Sequence, residues 1–111
     1  MNCGLYCLKE YLKLYDVEVD FCMNQTMISM LEIVNLLKDM NIEASGYYCK
    51  YVLHEEPYMI YLPKQKHFML VKKIGWFVHL CDQRVHSVWI PYFLYLLIYQ
   101  GYYLKIEKIL F

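Results

Sequence analysis

Three side chains carry the chemistry this chain could perform: the thiol of Cys3, the imidazole of His67 and the carboxylate of Asp82. Cys3 stands in an Asn2-Cys3-Gly4 tripeptide that opens what reads as a helix. A helix N-terminus presents backbone N–H groups and the positive end of the macrodipole, which together stabilise a thiolate and lower a cysteine's pKa. A carboxylate that holds one imidazole nitrogen fixes the tautomer and leaves the other nitrogen to take the thiol proton. The resulting thiolate–imidazolium pair is a nucleophile suited to a peptide carbonyl. Each residue also has a plainer reading. A cysteine near an N-terminus is commonly a small buried hydrophobe, and a cross-strand His–Asp pair can simply satisfy its own polar groups. The coincidence of all three favours the chemistry.

The elements that must position them follow from periodicity. Leu5, Leu8 and Leu12, with Cys7, Tyr11 and Tyr15, recur at helical spacing, which predicts an amphipathic helix over 3–15 with Lys9, Glu10 and Lys13 on its solvated side. Residues 16–25 are polar enough for a connection. Ser29 and Glu32 match a capping box, and Ile28, Leu31, Val34, Leu37 and Met40 carry a second helical face that Asn41 ends. From Ile42 the pattern changes to short runs rich in β-branched and aromatic residues, which predicts strands at 43–49, 57–62, 67–74, 76–82 and 102–108. Pro91 suits the first turn and Gly101 the C-terminal glycine of a short helix over 91–99. Helices followed by a mostly antiparallel sheet are an α+β order.

The hairpin between the third and fourth predicted strands converts spacing into chemistry. A two-residue turn at Ile74 and Gly75 sets Lys73 opposite Trp76, Val71 opposite Val78, Met69 opposite Leu80 and His67 opposite Asp82. Directly opposed Cβ atoms lie about 4.5–5.5 Å apart, within reach of an imidazole–carboxylate hydrogen bond. A three-residue turn opposes His67 to Gln83 instead.

Composition bounds the rest. At 111 residues, 59 % hydrophobic, the chain reads as one domain, 1–111, with a small aromatic core; thirteen Tyr against four Gly and three Pro argue against linker or disorder. Eleven basic residues balance eleven acidic ones, so no net field draws nucleic acid or an anionic membrane. Five irregularly spaced cysteines point to a reducing cytoplasm. The longest uncharged stretch, 87–104, is interrupted by Pro91 and Gln100-Gly101, leaving about half of the roughly 20 apolar residues a bilayer needs. His79, Cys81 and His86 lack the tight, repeated spacing of zinc ligands, so no metal is expected, and no cofactor motif stands out. Cys7, one helical turn after Cys3, reads as a buried helix-face residue, and His54-Glu55-Glu56 as a solvated loop whose carboxylates could meet a basic peptide.

In order and spacing these residues resemble a family. Asn2-Cys3-Gly4 resembles the Asp/Asn-Cys-Gly opening of the papain-like cysteine peptidase domain found at the N-terminus of bacteriocin-exporting ABC transporters, which removes double-glycine leader peptides. Residues 30–40 resemble its second helix and Pro57-Tyr58-Met59-Ile60 the strand before its histidine. His67-Phe68-Met69-Leu70-Val71 resembles its His-Phe-Val-Val block, Asp82 its aspartate, and Phe93 with Gly101-Tyr102-Tyr103-Leu104 its closing helix, glycine and strand. The resemblance runs from Asn2 to about Ile106. It implies a papain-like cysteine peptidase fold with Cys3, His67 and Asp82 as catalytic set. It also implies a substrate whose leader ends in Gly-Gly or Gly-Ala and docks an amphipathic helix in a hydrophobic groove. It further implies a cytoplasmic location, a separately encoded ABC exporter as partner, and membrane association only through that partner.

Two departures from the family pattern stand out. The family carries an oxyanion-binding glutamine about half a dozen residues before the cysteine, whereas Met1 and Asn2 alone precede Cys3 here. The loss of one such donor slows turnover by about 10²–10³, so slow hydrolysis by a stand-alone or truncated form is the expectation. Gln83-Arg84-Val85 replaces the proline and glycine that follow the family's aspartate. Two other readings stay open: a catalytically silent domain of the same fold that binds a peptide or partner protein, and a small structural or immunity-type protein.

Overall fold

The computed structural model describes residues 3–19, 29–52, 56–82 and 87–110, and for Cys3 the backbone. Three helices, α1 (Cys3–Lys13), α2 (Met30–Asp39) and α3 (Tyr92–Ile98), accompany six strands: β1 (Ile42–Tyr48), β2 (Tyr58–Leu62), β3 (His67–Ile74), β4 (Phe77–Cys81), β5 (Val88–Pro91) and β6 (Tyr102–Ile109). The strands form one sheet in the order β1-β6-β2-β3-β4-β5, with every neighbouring pair antiparallel. This is the α+β arrangement expected from the helix-then-strand order.

Local chemistry accounts for the element ends. Ser29 caps α2, its hydroxyl accepting from the Glu32 N–H at 3.1 Å as the capping box requires. Asn41 adopts a left-handed φ of 62° just past the α2 C-cap and turns the chain into β1. Gly75 takes φ 59° and opens the β3–β4 turn, so the turn residues are Gly75 and Trp76 and the ladder pairs Ile74 with Phe77 and Leu70 with Cys81. The predicted turn at Ile74-Gly75 is therefore displaced by one residue. The positive φ is needed at the first turn position, where only glycine meets it without strain. Every pairing shifts by two, which keeps each side chain on its predicted face. β5 was not anticipated, and Pro91 ends it, acting as the extended N-cap of α3. The uncharged 87–104 stretch thus becomes strand, helix and strand, and no helix among the described residues is long and apolar enough to cross a membrane.

The two sheet faces carry separate cores. On one, Leu5, Leu8 and Leu12 of α1 and Ile33 and Leu37 of α2 pack on Met59, Phe68, Leu70 and Leu104. On the other, Tyr95 of α3 packs on Tyr58, Ile60, Val71, Val78 and Tyr103. Tyrosines serve both cores because each hydroxyl finds a partner. Tyr11 donates to the Pro57 carbonyl at 2.8 Å and accepts from the Ile106 N–H at 2.9 Å, locking α1 to both β2 and β6. Tyr58 and Tyr95 share a hydroxyl–hydroxyl hydrogen bond of 2.9 Å.

Burial pushes the Tyr58 phenol up to about 12, and it raises Tyr11 and Tyr95 further. The unfolded chain releases these protons near pH 10 while the folded chain retains them. Their contribution to stability is thus complete below pH 10 and is lost as pH rises towards 12, Tyr58 alone accounting for about 3 kcal/mol at that limit. Urea unfolding measured from pH 9 to 11.5 is expected to fall steeply above pH 10, and less steeply in Tyr58→Phe. Equal slopes would contradict this account.

Candidate active site

The turn over 63–66 delivers His67 to the first position of β3. The Gln65 and Lys66 N–H groups bond to the Leu62 and Pro63 carbonyls, Lys66 takes φ 50°, and His67 then pairs with Leu62 across the β2–β3 ladder. Asp82 follows the last residue of β4. Because the β3–β4 register is displaced, His67 and Asp82 are diagonal neighbours rather than directly opposed, still within reach of long side chains. The His67 Nε2–H donates to Asp82 Oδ2 at 2.5 Å. With an ionised carboxylate as acceptor, the bond is charge-assisted.

Asp82 is 4 % exposed, the one buried charged side chain among the described residues, whereas the His67 side chain is 21 % exposed. A buried carboxylate is tolerated only with a partner. The partner here is an imidazole with one flank open to solvent. With Nε2 committed to Asp82, Nδ1 is the ring nitrogen left for proton transfer.

α1 packs against the two strand ends that hold this pair. Cys3 is its first residue, and the side chain of Cys3 lies outside the described residues, as does all of Asn2. One turn further on, the buried Cys7 thiol donates to the Phe68 carbonyl at 3.3 Å and approaches that of Cys81 at 4.0 Å. Phe68 is adjacent to His67 and Cys81 to Asp82, so Cys7 fixes the first turns of α1 against the two strand ends that hold the pair. Tyr6 stands in the same place. Its phenol is raised by burial, and by the charges of Glu10, Cys81, Cys7 and Asp82. Burial, followed by Glu10 and Asp82, pushes the Cys81 thiol up, which keeps it a poor nucleophile. Sequence reasoning took Cys7 for helix packing alone. Its spacing from Cys3 was the available signal, since residues four apart share a helix face.

The same end of the sheet carries a cavity of about 580 Å³ lined by Tyr48, Lys50, Tyr51, Tyr99, Gln100 and Gly101, among others. Gln100 ties it to the turn before His67: its amide donates to Gln65 Oε1 at 2.7 Å and its oxygen accepts from the Lys64 N–H at 3.3 Å. Gly101, with φ 102°, is required because an added Cβ would sit 2.9 Å from the Tyr48 ring. Of the metal candidates, His79 Nε2 lies 2.6 Å from the Ser87 hydroxyl, and His86 falls outside the described residues, as do Gln83, Arg84 and Val85.

A buried carboxylate thus holds a partly exposed imidazole at the strand ends against which α1 packs. Comparison with known proteins places the fold. The chain is similar to the crystal structure of a double glycine motif protease from an AMS/PCAT transporter, solved in complex with the leader peptide. The TM-score is 0.80 at 22 % sequence identity, over 95 % of this chain and 83 % of that one. The chain has the α+β fold of such a peptidase. No protein-family model and no curated protein matches it.

A double-mutant cycle measures the pair. His67→Ala and Asp82→Ala should each destabilise the fold by about 1–3 kcal/mol, with a coupling of about 1.5–3 kcal/mol typical of a charged hydrogen bond. Additive effects in urea unfolding would show that the two side chains do not interact in solution.

Proposed function

We propose that this protein is a papain-like cysteine peptidase domain that recognises peptides with a double-glycine leader and cleaves after the leader. One observation carries the proposal: the short His67–Asp82 hydrogen bond, with its carboxylate buried, at the end of the sheet where the Cys3 helix begins. Cys3 is the nucleophile, His67 the general base and then acid, and Asp82 the group that holds the ring. Nδ1 of His67 takes the Cys3 proton, and the helix N-terminus favours the thiolate. The thiolate attacks the carbonyl carbon of the leader's last residue, and the imidazolium returns the proton to the departing amine. Water, deprotonated by the same imidazole, then releases the leader from the thioester.

The fold likeness supports the substrate class, since the similar protease was solved with a leader peptide bound. The tyrosine-lined cavity offers the leader's apolar side chains a place to dock at the same end of the sheet. In this reading the domain acts in the cytoplasm with an ABC exporter that carries the trimmed peptide.

Alkylation followed residue by residue with mass spectrometry tests the mechanism. Cys3 should react with iodoacetamide rapidly near pH 6–7, while exposed Cys49 serves as the ordinary thiol reference. His67→Ala should slow the Cys3 reaction near neutral pH, and Asp82→Ala should slow it less. Superimposable Cys3 profiles for wild type and His67→Ala, with a midpoint near the free-thiol value of about 8.5, would make Cys3 a packing residue. Substrate choice has its own test. A double-glycine leader peptide should be cleaved and its Leu-Leu counterpart left intact, and cleavage of both or of neither would overturn the assignment.

A further inference from the structure

His67 leaves a turn that has little to hold it in place. Pro63, Lys64, Gln65 and Lys66 are all exposed, so packing does not fix them. The two backbone bonds inside the turn measure 3.1 and 3.3 Å, and Lys66 takes φ 50°, a left-handed conformation that a residue with a Cβ adopts at a cost. His67 is also the last rung of the β2–β3 ladder, where strands fray first. Among the described residues, the hydrogen bonds that reach this turn from elsewhere in the chain both come from the Gln100 side chain. Its amide nitrogen donates to Gln65 Oε1 at 2.7 Å and its oxygen accepts from the Lys64 N–H at 3.3 Å, so one carboxamide spans two consecutive turn residues.

Gln100 can serve as an anchor because the residues on either side of it are fixed. The Tyr99 N–H bonds to the Tyr95 carbonyl at 3.0 Å and closes α3, while the Tyr99 hydroxyl donates to the Cys49 carbonyl at 2.7 Å. The Gly101 carbonyl accepts from the Cys49 N–H at 2.9 Å. Tyr61 and Tyr102 are partners in the β2–β6 ladder, which brings the turn after β2 and the residues before β6 to the same end of the sheet. A half-buried glutamine between two held neighbours thus grips an exposed, strained turn. Asp82 restrains one nitrogen of the imidazole, and a bond through one atom leaves the ring free to pivot if the backbone at His67 shifts. A misplacement of about 1 Å at a reacting group costs up to about 10²-fold in rate.

We infer that Gln100 is a positioning residue for His67: it fixes the backbone at Lys64 and Gln65, so that the turn delivers the imidazole to Asp82 in one orientation. Its effect on rate rests on the peptidase reading, whereas its effect on the imidazole does not. The test therefore has two readouts on the full chain, single-turnover cleavage of a double-glycine leader peptide and the NMR signal of the His67 Nε2–H. Gln100→Ala should lower the maximal cleavage rate about tenfold and leave the half-saturating peptide concentration within about twofold. Gln100→Glu should restore most of the rate, since its carboxylate still accepts from the Lys64 N–H and the Gln65 amide can turn over to donate to it. Gln65→Ala, at an exposed position where unfolding is not at issue, removes the shorter of the two bonds and should fall between wild type and Gln100→Ala. The Nε2–H signal should be sharp in wild type and Gln100→Glu and broadened by exchange with water in Gln100→Ala. An unchanged signal in both Gln100→Ala and Gln65→Ala would overturn the inference. So would a raised half-saturating concentration at an unchanged maximal rate, for Gln100 lines the cavity and would then be a leader contact. A wild type that cleaves nothing, with the signal responding as described, would sink the peptidase reading and uphold the positioning of His67 by Gln100.

Discussion

A carboxylate removed from water constrains the whole architecture. Asp82 cannot be buried alone, so β4 must end where His67 can reach it, and β3 must start at His67. The two hairpin turns satisfy both conditions. The turn over 63–66 places His67 at the strand's first residue, and the Gly75-Trp76 turn sets the diagonal register. The helix that begins with Cys3 is then held to the same two strand ends by the Cys7 thiol, and to Pro57 and β6 by the Tyr11 hydroxyl. The precision of the site thus comes from rigid elements and from side chains one step removed from the reaction.

Much of this was legible in the chain. The α1 and α2 faces, the Ser29–Glu32 cap, the Asn41 stop and five of the six strands follow from periodicity and capping chemistry that act within a few residues. The pairing of His67 with Asp82 was also legible, although its register was not. Face alternation depends only on parity, and a turn displaced by one residue changes every partner while preserving parity. β5 was missed because four residues ahead of a helix offer no alternation to read, and its strand character comes from pairing with β4. The Cys7 contacts were hidden for a different reason. They join residues 61 and 74 positions apart, which no local pattern encodes.

A formal charge of zero describes the sum, whereas residues 1–56 hold nine of the eleven acidic side chains. β3 runs from the site to the hairpin turn: its eight residues measure about 25 Å from His67 to Ile74. His67 at one end and the Gly75-Trp76 turn at the other are therefore joined by a single strand paired on both edges.

The position of β6 bears on how the protein is made. The last strand of the chain lies inside the sheet, between β1 and β2, and its Ile106 N–H occupies the Tyr11 hydroxyl that holds α1. During synthesis the β2-to-β5 meander can pair as it emerges, but β1 has no neighbour and the helix carrying Cys3 lacks one of its two anchors until residues 102–109 have left the ribosome. The helix that opens with Cys3 thus precedes every strand of the sheet in the chain yet gains its second anchor only when β6 pairs. A chain still lacking β6 would hold α1 through the Cys7 and Pro57 contacts alone, so that one tyrosine hydroxyl couples the seating of the first helix to the pairing of the last strand described.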